Sequence, residues 1–151
     1  MFVIYHGVEA YSIGDKVCNV ALPSGTAVQL DASGNYLVAA TGDPLGFLEK
    51  SVTADGPSDW EMETLKGISA HEVQTGNPVP VVDGPGLIKT DRVAATISGA
   101  SIGDQLTIKN GVWDVCASGD IVCGKLEKTD PDDDSDTYLI RRLLGGTIKG
   151  E

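Results

Sequence analysis

The sequence predicts an all-β fold, a small barrel or sandwich built from two related β-hairpin units with at most one short helix. The first observation is the presence of 19 Gly and 7 Pro among 151 residues. Gly favours tight turns with positive φ and Pro interrupts helices, so this excess indicates short strands joined by turns. The other two observations are an internal repeat and alternating apolar runs on both sides of a two-residue turn. A chain of this length buries roughly 70% of its unfolded surface, so we expect a single β-domain over residues 1–151.

The internal repeat joins residues 34–43 (GNYLVAATGD), which align without a gap with residues 111–120 (GVWDVCASGD). Both copies then reach a Gly-x-Leu-Glu-Lys-Ser/Thr ending, and an identical Ser-Ile-Gly-Asp tetrapeptide stands upstream of each. Two copies are too few for a solenoid. We therefore expect two related β-units packed in one domain.

The second unit contains the stronger hairpin pattern, because the Asn110-Gly111 dipeptide separates two alternating runs. This turn pairs Lys109 with Val112, Ile108 with Trp113, Thr107 with Asp114 and Leu106 with Val115. Leu106, Ile108, Trp113 and Val115 then share a core face, and Thr107 and Asp114 share a solvent face. In the first unit the equivalent pairing places Val28 and Leu30 opposite Tyr36 and Val38.

In the remaining segments, capping residues, prolines and glycines indicate the secondary structure. Ser58 to Glu61 fits a capping box and Gly67 can close a helix, which predicts one short helix over residues 59–66. Residues 77–86 contain three prolines, so we expect an extended arm, loop or edge segment there and not a central strand. Strand character returns at residues 87–90, 94–97, 121–126 and 137–144, and residues 1–11 form an extended N-terminal segment. A Gly within a short apolar strand, as at Gly46 and Gly124, marks a bulge or the close approach of another backbone.

The charge balance excludes several functions. With 22 Asp+Glu against 11 Lys+Arg, the net charge is -11, which leaves no basic stripe for nucleic acid or for an anionic membrane. No apolar run approaches the roughly 20 residues of a membrane helix, and the N-terminus lacks a secretory signal pattern. Cys18, Cys116 and Cys123 are an odd number without C-x-x-C spacing, so we expect free buried thiols.

No catalytic constellation can be assembled from the sequence. His71-Glu72 lacks the second histidine of H-E-x-x-H, and His6 has no ligand at metal-binding spacing. No Gly-x-Ser-x-Gly elbow is present. The sequence therefore predicts a protein that is not an enzyme and that uses no cofactor.

Residues 130–136 hold the densest charge, with five carboxylates in seven residues. Counted as an EF-hand loop from Asp132, position six is Thr137 where Gly is required, and position twelve is Leu143 where Glu is required. We expect a solvated acidic loop between two strands. Asp132, Asp134 and Asp136 remain weak candidates for a cation site.

Several turn and strand patterns resemble the capsid decoration, or cement, proteins of tailed bacteriophages over most of residues 12–144. They are Gly25-Thr-Ala-Val-Gln-Leu, Asp43-Pro-Leu-Gly-Phe-Leu, Ile102-Gly-Asp-Gln-Leu-Thr-Ile, Gly111, Cys123-Gly-Lys-Leu-Glu-Lys and Tyr138-Leu-Ile-Arg-Arg-Leu-Leu. The resemblance implies a homotrimer on the outer surface of the virion, assembled in the host cytoplasm, that locks neighbouring major capsid subunits together. It carries over no functional residues, and the Pro-rich arm and acidic loop have no counterpart in the family pattern.

Candidate contact residues follow from extended and cationic segments of this acidic chain. They are Phe2, Ile4 and Tyr5 near the N-terminus, Pro78, Val79 and Pro80 in the arm, and the adjacent cations Arg141 and Arg142. An edge strand, a loop and a solvated face explain the same three groups without a partner. The alternative function is a Ca²⁺-dependent or carbohydrate-binding β-module that uses the acidic loop with Trp60 or Trp113.

Overall fold

The computed structural model describes residues 2–6, 11–12, 16–54, 72–129 and 136–150. Thirteen strands and one 3-10 helix, Ala95–Gly99, lie in these ranges. The strands are β1 (Phe2–His6), β2 (Tyr11–Ser12), β3 (Ala27–Leu30), β4 (Tyr36–Val38), β5 (Gly46–Leu48), β6 (Ser51–Thr53), β7 (Glu72–Gln74), β8 (Val81–Val82), β9 (Gly86–Thr90), β10 (Gln105–Lys109), β11 (Val112–Val115), β12 (Ile121–Thr129) and β13 (Tyr138–Ile148). The predicted helix over residues 59–66 falls outside the described residues.

The strands form two main antiparallel sheets that pack face to face. One sheet has the order β1-β9-β13-β12-β10-β11 and the other has the order β2-β8-β5-β3-β4, while β6 and β7 form a small parallel pair. Strands account for 52% of the structure and helix for 4%, which confirms the predicted all-β class and favours the sandwich over the barrel.

Both predicted hairpins are present. β10 and β11 pair in the predicted register from Leu106↔Val115 to Lys109↔Val112, and β3 pairs with β4 through Val28↔Val38 and Leu30↔Tyr36. The prediction that Thr107 of the second hairpin faces solvent is wrong, because this residue is 2% exposed. Residues 41–42 and 119–121 line a small cavity with Thr107, so the opposite face of β10 is covered as well.

The prediction for the Pro-rich segment is also wrong. Val81 and Val82 form β8, which pairs with β2 on one side and β5 on the other. All three prolines lie outside this two-residue strand, so both valines keep the N–H groups that a central strand needs. The segment therefore contributes to the second sheet and does not project as an arm.

Two further boundaries differ from expectation. Residues 94–97 were expected to be extended, but Ala95–Gly99 is a 3-10 helix. The N–H of Ile97 donates to the carbonyl of Ala94 at 3.1 Å, and the side chain of Ile97 is fully buried. The final strand continues past Gly145-Gly146 to Ile148, pairing there with Ile121. In the N-terminal segment, β1 belongs to the first sheet and β2 to the second.

An aromatic column joins the two sheets. The ring of Phe47 on β5 stacks against Trp113 on β11, with a centroid distance of 5.2 Å, and against Phe2 on β1 at 6.0 Å. The guanidinium of Arg142 on β13 lies 5.0 Å from the centroid of the same ring. Phe47 therefore packs at the centre of the largest cluster of buried side chains.

Gly46 provides a direct test of the close packing between β5 and β8. A Cβ added at Gly46 would lie 2.6 Å from the carbonyl oxygen of Val82 and 2.4 Å from Cγ1 of Val81. We expect Gly46→Ala to lower the free energy of unfolding by about 2 kcal/mol, because the paired backbone cannot move aside. Chemical denaturation measures this change. Gly99→Ala is the control, since a Cβ at Gly99 meets no atom within 4 Å and should change stability by less than about 0.5 kcal/mol. Equal effects of the two substitutions would contradict the expectation.

The three cysteines are buried free thiols, as predicted. Burial raises the pKa of Cys123 to about 11, and its Sγ donates to the carbonyl oxygen of Gly42 at 3.1 Å. Burial also raises the pKa of Cys116. All three side chains pack as small apolar groups, and the raised pKa values of Cys116 and Cys123 keep these two thiols protonated at neutral pH.

The raised pKa of Cys123 predicts a loss of stability at alkaline pH. The unfolded thiol titrates near pH 9, whereas the folded thiol stays protonated until about pH 11. The stabilising contribution is therefore complete below pH 9 and is lost as the pH rises through about 11. Urea unfolding at a series of pH values should show this fall, and Cys123→Ala should make it shallower. A Cys123→Ala profile parallel to that of the wild type would contradict the assignment.

Candidate protein interaction site

The N-terminal strand β1 forms one edge of the six-stranded sheet. It pairs with β9 through Phe2↔Thr90, Val3↔Lys89 and Ile4↔Ile88, and no other described strand pairs with its outer side. Phe2 is half-buried on Phe47, whereas Val3 is 43% exposed. The structure describes the strand position of Ile4 and Tyr5 but not their side chains. Within the described ranges, β1 thus has an outer backbone edge without a strand partner, and the packing of Phe2 on Phe47 holds the strand in place.

The outer face of the six-stranded sheet extends from this edge. Leu126 on β12 and Ile140 on β13 pair with each other, and both are fully buried. Because side chains alternate along a strand, the residues next to them in sequence, such as Lys125 and Arg141, point away from the core. We use the name outer face for two rows of residues that lie in register across neighbouring strands. They are Val3, Lys89, Leu139 and Lys128 in one row, and Leu87, Arg141, Lys125 and Gln105 in the other.

The outer face is locally cationic although the whole chain is strongly acidic. Lys125, Lys128 and Arg141 are exposed, while Lys89 is 8% exposed. Nε of Arg141 donates to Oε1 of Glu127 at 2.6 Å, which holds the guanidinium against the sheet. A surface that combines exposed cations with Val3 and Leu139 can contact acidic groups of another protein.

Arg142 was predicted as a contact residue, and this prediction is wrong. Its side chain is 2% exposed and points into the core, on the opposite side of β13 from Arg141. Its Nη1 donates to the carbonyl of Val82 at 3.2 Å, and its Nη2 donates to those of Pro44 at 3.2 Å and Leu45 at 3.4 Å. Burial lowers the pKa of this guanidinium. Arg142 connects the two sheets and is not available to a partner.

The three predicted contact residues in the Pro-rich segment differ in how far they are exposed. Pro78 is exposed and forms a backbone bridge with Val17, whereas Val79 is 3% exposed and belongs to the second apolar cluster. Pro80 is half-buried, and its carbonyl accepts from the N–H of Glu49 at 3.2 Å. The contact prediction is therefore wrong for Val79, and Pro78 is the exposed member of the three.

A second group of charges stabilises the β10–β11 hairpin. Nζ of Lys109 lies 2.9 Å from Oδ2 of Asp120 and 3.7 Å from Oδ2 of Asp114. The hydrogen bond from Lys109 lowers the pKa of Asp120, and the same contact raises the pKa of Lys109. Nζ of Lys149 donates to the carbonyl of Cys116 at 2.8 Å. These contacts lie within the chain and tie the 117–120 turn to β10 and to Lys149, the residue that follows β13.

Most of the cation and carbohydrate candidates lie outside the described residues. Asp132, Asp134, His71 and Trp60 lie outside the described residues, and Asp136 is exposed. The part of the chain that the structure describes holds no group of three His, Cys, Asp or Glu side chains that could bind a metal ion. Trp113 is fully buried, so it cannot present its ring to a sugar.

Comparisons with known proteins give no further identification. No protein-family model matches the chain, and no curated protein or solved structure matches it. Within the described ranges, no helix is long and apolar enough to cross a membrane.

Sequence reasoning missed Leu139 and Lys125 as members of the outer face. The signal was present, because Tyr138-Leu-Ile-Arg-Arg alternates and the acidic loop indicates that β12 and β13 pair as neighbours. Alternation within the last strand places Leu139 and Arg141 on one face and Ile140 and Arg142 on the other. Treating the two arginines as a unit overlooked this alternation.

Proposed function

We propose that this chain is a structural virion protein that binds the outer surface of an assembled phage capsid and cements neighbouring major capsid subunits. The observation that carries the proposal is the outer edge of β1, which pairs with no other described strand and is continuous with the cationic outer face of the six-stranded sheet. An extended segment of a capsid subunit can add to such an edge, and the sheet face beside it then contacts the subunit surface.

The charge distribution supports the same arrangement. The net charge of -11 disfavours a position against packaged DNA, whereas Arg141, Lys125 and Lys128 provide a local surface for acidic protein groups. The resemblance to decoration proteins supplies the capsid as the partner and a homotrimer as the assembled form. A closed trimer requires a heterologous interface, in which two different surfaces of each copy meet.

The test uses capsids of the encoding phage that were assembled without this protein. The purified chain should co-sediment with them at saturable stoichiometry and raise the temperature at which they release their contents. Light scattering should give a mass about three times 15.7 kDa for the assembled form. Wild-type protein that fails to bind these capsids would overturn the proposal.

Matched variants locate the contact. We expect Val3→Lys and Arg141→Glu to weaken capsid binding about tenfold or more, because they place charge on the edge and reverse it on the outer face. Val20→Lys repeats the first change at a residue that is 59% exposed, and Lys50→Glu makes the same reversal of charge as Arg141→Glu. Both lie away from that surface and should bind like the wild type. Equal binding by all four variants would exclude the β1 edge and outer face as the contact.

A further inference from the structure

The tip of the β10–β11 hairpin, Asn110-Gly111, combines an exposed asparagine with a buried glycine. The chain contains four asparagines, and the other three precede Val20, Tyr36 and Pro78. Because glycine has no Cβ, nothing attached to Gly111 shields its backbone nitrogen from the side-chain amide of Asn110. The sequence of this turn therefore favours deamidation of Asn110.

Deamidation at this dipeptide needs water and no other reactant. The backbone nitrogen of Gly111 loses its proton to solvent and bonds to Cγ of Asn110, and the side-chain amide nitrogen leaves as ammonia. Water then opens the resulting succinimide at either carbonyl, which gives aspartate or isoaspartate. Both products carry a negative charge that asparagine lacks, and isoaspartate adds a methylene to the backbone of the turn.

The folded chain holds the nitrogen that would have to react. The N–H of Gly111 donates to the carbonyl of Ala39 at 2.8 Å, and the N–H of Asn110 donates to the carbonyl of Ala40 at 2.8 Å. The carbonyl of Gly111 accepts from the N–H of Ala27 at 2.9 Å. These bonds dock the hairpin tip on β3 and on the residues that follow β4, in the other sheet. While it is docked, the nitrogen of Gly111 can neither lose its proton nor approach Cγ.

Neighbouring side chains also enclose the turn. A Cβ added at Gly111 would lie 2.8 Å from Cγ1 of Val38 and 2.9 Å from Cγ2 of Thr26. Asn110 and Gly111 take φ values of 51° and 79°, which this two-residue turn requires. An extra backbone methylene would displace the turn, and the close packing around Gly111 leaves no space for that displacement. An isoaspartyl tip and the docked arrangement therefore exclude each other.

We propose that Asn110 is a modification site that deamidates only after the hairpin tip has left Ala39 and Ala40, and that isoaspartate then prevents the tip from docking again. Local opening has its own free energy, and a reaction confined to the open form follows the population of that form. Each conversion to isoaspartate makes one opening permanent. This inference does not depend on the proposed capsid function, since it uses no residue of the outer face.

The first test compares the folded chain with the chain unfolded in guanidinium chloride at the same mildly alkaline pH. Peptide mapping by mass spectrometry measures the loss of asparagine and the appearance of isoaspartate. In the unfolded chain Asn110 should react faster than Asn19, Asn35 and Asn77, because it alone precedes glycine. Folding should slow the reaction of Asn110 at least about tenfold. Equal rates in the folded and unfolded chains would overturn the proposal.

Val38→Ala tests whether docking controls the rate. This change removes the Cγ1 atom that encloses Gly111, so the tip should open more often. We expect the amide hydrogen of Gly111 to exchange about threefold faster or more, and Asn110 to deamidate faster by the same factor. Val20→Ala is the control, since Val20 is 59% exposed, and it should match the wild type in both rates. Low concentrations of guanidinium chloride open the tip in a second way. A change in either rate without the other would overturn the proposal.

The last test concerns the product. Chains that contain isoaspartate at position 110 are separated by chromatography and compared with Asn110→Asp, which carries the same charge without the extra methylene. Aspartate also suits this turn, so Asn110→Asp should keep the amide of Gly111 protected from hydrogen exchange. In the isoaspartyl chain that amide should exchange at least about tenfold faster. Equal protection of Gly111 in the two chains would overturn the proposal that the product keeps the tip undocked.

Discussion

Replacing Arg142 with methionine is expected to lower the free energy of unfolding by about 3 kcal/mol. The guanidinium donates to carbonyls of Val82, Pro44 and Leu45, and the first two belong to buried residues. Methionine fills similar space but donates nothing, and each buried carbonyl left without a donor costs about 1–3 kcal/mol. Loss of the contact with Phe47 adds to this effect.

Two factors keep the expected value below the sum of these losses. The guanidinium is itself buried at a cost, which its lowered pKa reflects. In addition, Nε of Arg142 has no hydrogen-bond partner among the described residues, so its removal is favourable. Because the acceptors are backbone carbonyls, however, they remain in the core after substitution.

Arg141→Met is the matched control for this prediction. Arg141 is the preceding residue in β13 and is exposed, and its ion pair with Glu127 lies at the surface. Surface ion pairs contribute about 0–1 kcal/mol, so this variant should unfold close to the wild type. Urea denaturation of both variants measures the difference. Equal destabilisation by the two substitutions would show that Arg142 does not connect the sheets.

Trp113→Ala is expected to lower the free energy of unfolding by about 4 kcal/mol. Trp113 is fully buried, stacks on Phe47 and lies in the largest apolar cluster. Truncation leaves a cavity between the sheets, and large-to-small changes of this kind cost about 3–5 kcal/mol. Since domains of this size are stable by about 5–15 kcal/mol, the variant would retain a small margin at most.

Trp113→Phe separates the contribution of the ring from that of the indole N–H. Nε1 of Trp113 has no hydrogen-bond partner among the described residues, so removing it leaves no acceptor unpaired. We expect Trp113→Phe to cost about 1 kcal/mol, with the stacking on Phe47 retained. Guanidinium chloride unfolding followed by circular dichroism measures both variants. A Trp113→Ala midpoint near that of the wild type would contradict the central position of this residue.

The local sequence pattern was sufficient to predict those features that depend only on neighbouring residues in the chain. The register of β10 and β11 follows from the Asn110-Gly111 turn, in which Asn110 takes φ 51° and Gly111 takes φ 79°. Two-residue turns of this kind specify which residues face each other, and alternation then specifies the faces. The same reasoning identified the close approach at Gly46 and the buried free cysteines.

Features that depend on contacts between distant segments could not be predicted from local sequence patterns. Pro78 and Pro80 argued against a central strand, but pairing requires free N–H groups only at Val81 and Val82, and β2 and β5 supply the partners. Thr107 was assigned to solvent because nothing in its own hairpin covers it. Residues 41–42 and 119–121 cover it in the folded chain.

The same distinction between local pattern and long-range contact applies to the candidate site residues. The sequence by itself determined an acidic all-β protein, its hairpin registers and the extended character of its N-terminal segment, because these follow from composition, turn chemistry and alternation. Only the tertiary structure decided that Arg141 is exposed on one face of β13, while Arg142 is buried on the other and binds the carbonyl of Val82 in the second sheet. These relations arise from the order of strands in the sheets, which joins residues far apart in the chain and is not encoded in any local pattern.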